Sequence, residues 1–316
     1  MFALRGIAVS FSVFVIVYCV LSFAVGFSWR RVSLHIHERR IRRTADLLFA
    51  MRILPLVAAA IITAAFTVPS FLLLEPRSID EPVGTIPLAL GVCGALLGVF
   101  GVVNAALALR RASRAISEWR SGAQPVSAPT PVPVLRISQT LPAMAAAGIV
   151  RPKVFVSGAV EFVLTAGELQ TALNHEIAHV RRRDNLKKLL LRFVAFPGLR
   201  GLETAWLEAT EMAADDAAVS NAGEALDLAA ALIKLSRLGP VSPSVDLTAA
   251  LVQSSVALMN ARVGRLVAWS GERTPPPQKY SPWYGLGAAV VTIALFAVTY
   301  GSLLVHVHAA TEWLVR

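Results

Sequence analysis

Residues 165–179, Thr-Ala-Gly-Glu-Leu-Gln-Thr-Ala-Leu-Asn-His-Glu-Ile-Ala-His, decide the fold of the polar part of this chain. Thr165 followed by Glu168 is the pattern of a capping box, so a helix is predicted to begin directly after Thr165. His175 and His179 are four residues apart and therefore share one face of that helix. The stretch thus predicts a helix that presents two imidazoles side by side.

Two imidazoles on one helical face can bind a single metal ion, with Glu176 beside the open coordination position. This spacing is typical of zinc sites in which the glutamate acts as general base. The alternative is two histidines on the polar face of a surface helix. The metal site is favoured because further ligands follow in the sequence.

A catalytic zinc needs a third protein ligand, and Glu211 can supply it. Asp215 lies one helical turn further on, where its carboxylate can orient a histidine ligand through the second ring nitrogen. Other carboxylates nearby are rivals: Glu203 is the alternative ligand, and Glu208 and Asp216 are expected to be solvated.

The polar region is predicted to be an α+β domain over residues 121–279. Its ends are rich in proline, at Ser121–Pro133 and Arg273–Gln278. Short strands rich in valine and phenylalanine are predicted before the helix, with an edge open to an extended substrate. These strands are Val134–Ile137, Lys153–Ser157 and Glu161–Thr165.

The rest of the chain has the composition of a membrane protein. Apolar residues make up 55% and charged residues 16%, which excludes a disordered or fibrous chain. A membrane-spanning helix needs about 20 apolar residues, and four stretches qualify. We predict three spans within residues 1–120 and a fourth, with a short external tail, within 280–316. The predicted spans are 6–29, 53–74, 87–109 and 284–305.

The net charge of +10 is explained by arginines beside the spans. They crowd the predicted loop 30–52 and the segment after Leu109, whereas the loop after Leu74 is acidic. Positive loops face the cytoplasm, so we predict a multi-pass inner-membrane protein with a cytoplasmic domain and both termini outside. No direct binding of nucleic acid is expected.

The remaining histidines are not predicted to bind metal. His35 and His37 are only two residues apart, so they do not share a helical face. His306 and His308 follow the fourth predicted span and are expected to lie at the membrane interface.

Several of these segments together resemble the BlaR/MecR-type membrane zinc metallopeptidases, the antirepressor peptidases. The resemblance covers roughly Pro133 to Leu266. It is carried by Arg-Pro-Lys-Val-Phe-Val from Arg151, by His-Glu-Ile-Ala-His-Val-Arg-Arg-Arg-Asp-Asn-Leu from His175, and by Glu-Met-Ala-Ala-Asp-Asp-Ala-Ala-Val from Glu211. The HtpX and CAAX-prenyl endopeptidases share only the paired histidines and the Glu-x-x-x-Asp motif.

The resemblance implies a mainly α membrane protein with four transmembrane helices and a cytoplasmic zincin-like (gluzincin) domain between spans three and four. It implies one Zn²⁺ per chain, held by His175, His179 and Glu211, and Glu176 as the general base. It makes Asp215 the partner of a ligand. Weaker matches give Asp184 a helix-terminal or orienting role and Arg262 an oxyanion-stabilising role.

The expected function is therefore zinc-dependent cleavage of a protein at the cytoplasmic side, with a transcriptional repressor as one substrate. No extracellular penicillin-binding sensor follows the fourth predicted span, so direct β-lactam sensing is not expected. The alternatives are an HtpX-like quality-control protease and a catalytically silent signalling scaffold.

Overall fold

The computed structural model describes nine segments of the chain. They are residues 2–32, 41–76, 84–126, 130–138, 142–194, 199–238, 248–250, 256–269 and 298–313. The chain forms two compact units. The membrane unit comprises Met1–Arg30, Ile53–Phe100 and Arg273–Arg316, and the site unit comprises Arg31–Arg52 and Gly101–Glu272.

The described residues are mostly helical, with one small sheet. The helices are α1 (Phe2–Val32), α2 (Ile41–Ile62), α3 (Val68–Leu74), α4 (Thr85–Arg120), α5 (Gly158–Val163), α6 (Ala166–Arg181), α7 (Asp184–Phe193), α8 (Arg200–Ala218), α9 (Ala222–Ser236), α10 (Val256–Val267) and α11 (residues 298–313). The strands are β1 (Gln124–Val126), β2 (Val134–Ile137), β3 (Met144–Ala147), β4 (Lys153–Ser157) and β5 (Thr248–Ala250).

Among the described residues, three helical stretches are long and apolar enough to cross a membrane, and they coincide with the first three predicted spans. They are Phe2–Trp29, Thr44–Leu74 and Thr85–Arg120. Helix α1 continues to Val32 and α2 already begins at Ile41, so helices occupy both ends of the predicted loop 30–52. Most of the predicted fourth span lies outside the described residues, and its end continues as α11 through the predicted external tail.

The second span contains a π-helical turn, Thr63–Thr67, that joins α2 to α3. Pro69 follows in the first turn of α3 and has no N–H to donate to the carbonyl of Ala65, four residues earlier. The Tyr300 hydroxyl of α11 donates to that carbonyl oxygen instead, at 2.6 Å. This bond joins α11 to the second span.

The sheet of the site unit has the strand order β1-β2-β4-β3-β5. Strands β2 and β4 are parallel, and the other neighbouring pairs are antiparallel. Both valine-rich strands, β2 and β4, are therefore paired on both sides. The prediction that they offer an open edge is wrong.

The third predicted strand, Glu161–Thr165, is also wrong. Ser157 caps a helix there, since its side-chain oxygen accepts a hydrogen bond from the Ala159 N–H. Residues up to Val163 therefore form α5, and Glu161 pairs with Arg136 of the neighbouring strand.

The main core lies between the sheet and the helices α6, α9 and α10. It contains Val154, Val160, Ala172, Leu228 and Leu232, none more than 1% exposed. The predicted boundaries at 120/121 and 279/280 stay predictions, but the site unit also takes in the second half of α4. There Trp119 packs against Phe155 of β4, and Ala108 and Ala112 pack against Leu189 of α7.

Candidate metal centre

Helix α6 presents the two predicted ligands. The helix begins as predicted, with a hydrogen bond from the Thr165 N–H to the Glu168 carboxylate at 2.8 Å and a reciprocal bond from the Glu168 N–H to the Thr165 hydroxyl. His175 and His179 are both buried, and their Nε2 atoms lie 3.1 Å apart. Both imidazoles therefore aim the same nitrogen at one point.

Helix α8 brings Glu211 to that point. Its Oε2 lies 3.6 Å from His175 Nε2, and its Oε1 lies 3.6 Å from His179 Nε2. The ligand atoms of the three residues are all within 4.8 Å of one another. Zinc binds imidazole and carboxylate at about 2.0–2.2 Å, so donors around it are separated by distances of this size. The donor set fits zinc, as predicted, although the geometry does not by itself name the metal.

Two aspartates face the outer ring nitrogens of the histidines. The Asp184 Oδ2 lies 2.8 Å from His179 Nδ1, and the Asp215 Oδ1 lies 2.9 Å from His175 Nδ1. The second contact has hydrogen-bond length, but His175 Nδ1 lacks the angle of a regular hydrogen bond. A carboxylate in this position fixes which ring nitrogen can bind metal.

A left-handed residue places Asp184. Helix α6 ends at Arg181, and Arg183 then has a φ of 55°. This turn starts α7 at Asp184, directly below His179. The turn at Arg183 thus returns the Asp184 carboxylate to the helix that precedes it, which gives the sequence Arg183-Asp184-Asn185 a conformational reason.

Arg262 of α10 holds two carboxylates of α8, those of Glu211 and Asp215. Its side chain is fully buried, with Nε and Nη2 donating to Asp215 at 2.8 and 2.7 Å. Its Nη1 lies 3.1 Å from Glu211 Oε2. The guanidinium therefore lies on the side of Glu211 and Asp215, where it positions a ligand and a ligand partner. Its predicted oxyanion-stabilising role stays a prediction.

Glu176 contacts the sheet and not the paired imidazoles. One oxygen, Oε2, accepts a hydrogen bond from the Ala146 N–H of β3 at 2.7 Å. The other, Oε1, is buried and has no hydrogen-bond partner among the described residues. A buried carboxylate oxygen that lacks a hydrogen-bond partner and lies near the metal ligands is suited to accept a proton from a water molecule.

Asn185 completes the attachment of β3 and was missed by sequence reasoning. Its amide donates to the Ala146 carbonyl at 3.1 Å and to the Gly148 carbonyl at 3.4 Å. Gly148 has a φ of +101°, so it supplies the turn that leads from β3 towards β4. Glu176 thus bonds to the N–H of Ala146, and Asn185 bonds to the C=O of the same residue.

Burial sets the electrostatics of the centre. It raises the pKa of Glu176, and the charges of His175 and His179 offset only part of the rise. Burial alone lowers the pKa of His175, but the carboxylates of Asp215 and Glu211 outweigh it and raise that pKa to about 9 in the absence of metal. For Glu211, burial is outweighed by His179 and Arg262, and its pKa falls to about 2.

A second missed residue is Lys188 of α7. Burial lowers the pKa of its ammonium group, while the charges of Glu211, Asp184 and Glu176 raise it by less. The charge of Lys188 is therefore coupled to the three carboxylates of the centre. In the sequence it looked like one basic residue in an apolar, basic stretch, with no spacing to mark it.

The rival carboxylates lie elsewhere. Glu203 faces Arg192 at 3.8 Å, and Asp216 is exposed and bonded to Arg265 at 2.6 Å. Glu208 is half-buried and belongs to no group that could hold a metal among the described residues. His35 and His37 lie outside the described residues.

The centre therefore contains all seven predicted site residues: His175, Glu176, His179, Asp184, Glu211, Asp215 and Arg262. The chain was also compared with known proteins. A scan against protein-family models gives no match, and a search of curated proteins gives no similar sequence.

Proposed function

We propose that the chain is an integral-membrane zinc-dependent endopeptidase. The observation that carries the proposal is the convergence of His175, His179 and Glu211 at distances of 3.1 and 3.6 Å, with the buried carboxylate of Glu176 on the same helix. A stable fold does not need three buried ionisable groups and the partly buried Glu211 side by side, since buried charges reduce stability unless they are paired. A metal-dependent reaction does need them.

The residues of the centre would have the following roles in the reaction. Zinc, when bound, polarises a carbonyl and lowers the pKa of a bound water to about 7. Glu176 Oε1 accepts the proton of the attacking water and later delivers it to the leaving amine. Burial raises the pKa of Glu176, which makes its carboxylate a stronger proton acceptor than a solvated one.

The substrate is proposed to be a protein reached at the cytoplasmic side of the membrane. The resemblance to antirepressor peptidases supports a regulatory substrate such as a transcriptional repressor. The arginines beside the spans support the cytoplasmic placement, and reporter fusions near Arg40 and Gly122 should accordingly read inside, whereas a fusion near Ser78 should read outside. The opposite result would move the centre across the membrane.

A quality-control protease is the second candidate. It shares the same centre and differs in its choice of substrate. Cleavage of many unrelated unfolded membrane proteins, instead of one or a few regulatory proteins, would favour it. A silent scaffold is opposed by the intact Glu176, since a scaffold has no use for a buried general base.

The decisive experiment replaces Glu176 with glutamine. Zinc-replete membranes of the wild type and of the Glu176→Gln variant are compared by quantitative proteomics for cleaved proteins, and the purified chains by metal analysis. Because Glu176 is not a proposed ligand, the variant should keep its zinc. Loss of the base should lower the cleavage rate by about 10²–10⁴-fold.

Glu208→Gln is the matched control, because Glu208 is a half-buried carboxylate outside the centre. It should keep both zinc and cleavage. If Glu176→Gln cleaves as fast as the wild type, Glu176 is not the general base. If the variant does not cleave but complements a deletion as fully as the wild type, hydrolysis is not the function and the scaffold alternative is correct.

A further inference from the structure

The membrane unit contains a second cluster of metal-binding side chains, far from α6 in the sequence. Glu75 follows α3 at the end of the second span, and His308 and Glu312 lie one turn apart on α11. Their ligand atoms are all within 4.8 Å of one another. We propose that Glu75, His308 and Glu312 form a second divalent-metal site that binds a zinc-class ion.

The two segments are held together independently of the cluster. Tyr300 of α11 donates to the Ala65 carbonyl at 2.6 Å, and its ring lies 5.8 Å from that of Phe66. Eight residues of α11 separate Tyr300 from His308, a rise of about 12 Å in an α-helix. Ten residues separate Ala65 from Glu75, a rise of about 15 Å. The two contacts, Tyr300 with Ala65 and His308 with Glu75, show that α11 and the second span run in the same direction, so the anchored contact is compatible with the position of the cluster.

The distances resemble those of the centre on α6. His308 Nε2 lies 3.5 Å from Glu312 Oε1 and 3.9 Å from Glu75 Oε2. The corresponding separations on α6 and α8 are 3.1 and 3.6 Å. His308 and Glu312 also have the same i,i+4 spacing as His175 and His179, which places two ligands on one helical face. One imidazole and two carboxylates suit a borderline ion such as Zn²⁺ and leave coordination positions for water.

Glu75 is already oriented for this role. Its Oε1 pairs with Arg5 Nη1 at 2.9 Å, and its other oxygen, Oε2, faces His308. The Glu75 side chain is only 7% exposed. Arg5 therefore compensates part of the buried charge without blocking the oxygen that would bind the metal. A simple ion pair would explain Arg5 and Glu75, but not the convergence of His308 and Glu312 on the other oxygen.

The second site should bind metal more weakly than the centre on α6. Glu312 is 44% exposed, so water competes for its carboxylate. His308 Nδ1 has no hydrogen-bond partner among the described residues, whereas a carboxylate faces the outer nitrogen of each α6 histidine. Loss of such a partner typically lowers metal affinity about 10–100-fold.

The test uses the full-length chain, purified without a histidine tag. Chains are dialysed against excess Zn²⁺, washed, and analysed for zinc per chain. The wild type should hold about two zinc ions, and the His308→Ala variant about one, retained at the α6 centre. The variant His175→Ala/His179→Ala removes the first centre, and it should retain about one ion at the second site. Adding His308→Ala to this variant should remove the remaining zinc.

His306→Ala is the control, because His306 lies on the same helix but bonds to the Ser302 carbonyl and is exposed. It should leave zinc content unchanged. The proposal is overturned if the wild type holds one zinc that His308→Ala does not reduce, or if His306→Ala removes as much zinc as His308→Ala. Either result leaves the peptidase proposal standing, because that proposal rests on zinc lost with His175 and His179.

Discussion

Replacing Arg262 with methionine is expected to destabilise the site unit by about 3–5 kcal/mol, the usual cost of removing one partner of a buried ion pair. The side chain is fully buried and makes two hydrogen bonds to Asp215 as well as an ion pair with Glu211. Methionine fills a similar volume but leaves two buried carboxylates without their guanidinium. For a unit of this size, about 1 kcal/mol corresponds to a shift of about 2–4 °C in Tm, so a drop of about 6–20 °C is expected.

The assay is thermal unfolding in detergent, followed by circular dichroism at a fixed scan rate. Arg265→Met is the matched control, because Arg265 is also on α10 and also pairs with an aspartate of α8. The Arg265 and Asp216 side chains are 26% and 39% exposed, and exposed pairs contribute about 0.2–1 kcal/mol. The control should therefore lower Tm by no more than about 4 °C.

The double variant Arg262→Met/Asp215→Asn sharpens the test. It removes the charge that Arg262 compensates most directly, so it should be more stable than Arg262→Met alone. The reasoning is refuted if Arg262→Met and Arg265→Met lower Tm equally. It is also refuted if the second substitution adds a further loss of stability instead of restoring part of it.

Four further predictions concern the centre. Glu211→Ala should lower zinc affinity at least 100-fold, whereas Glu203→Ala should leave it unchanged; equilibrium dialysis that gave the reverse would make Glu203 the third ligand. Zinc affinity should rise about tenfold per pH unit up to a pH of about 9. The reason is that the metal displaces a proton from His175, whose pKa is raised to about 9. A zinc affinity that does not change between pH 6 and 8 would contradict this prediction. The same proton on His175 stabilises the folded, metal-free chain below pH 6.5, and this stabilisation is lost as the pH rises through about 9. As the pH rises, the stability of the metal-free chain should therefore fall while its zinc affinity increases. Asn185→Leu should lower kcat about tenfold at full zinc occupancy, because the Ala146 carbonyl loses its hydrogen-bond donor. An unchanged kcat together with a lower zinc content would show that Asn185 acts in metal binding instead.

The parts of the centre that share a helix could be predicted from the sequence. The capping pair of Thr165 and Glu168, the spacing of His175 and His179, and the spacing of Glu211 and Asp215 all repeat the period of an α-helix. The first three spans could also be predicted, because an uncharged apolar stretch of about 20 residues is typical of a membrane-spanning helix. Local period and composition therefore predicted these elements.

Contacts between elements could not be predicted in this way. Strand β3 consists of Met144 and three alanines, residues with little tendency to form strands, yet all four are buried. Small side chains are needed there because α6 approaches closely enough for Glu176 to reach the Ala146 N–H. The bond between Asp215 and Arg262 joins α8 to α10, and no local pattern marks such a pair.

The position of Arg262 along the chain also determines when the centre is completed during translation. Synthesis proceeds from the N-terminus, so the histidines of α6 and the carboxylates of α8 leave the ribosome before α10 exists. A nascent chain at that stage has every metal ligand but not the guanidinium that holds Glu211 and Asp215 in place. Glu211 and Asp215 therefore gain this partner only after the newly made protein extends past α10.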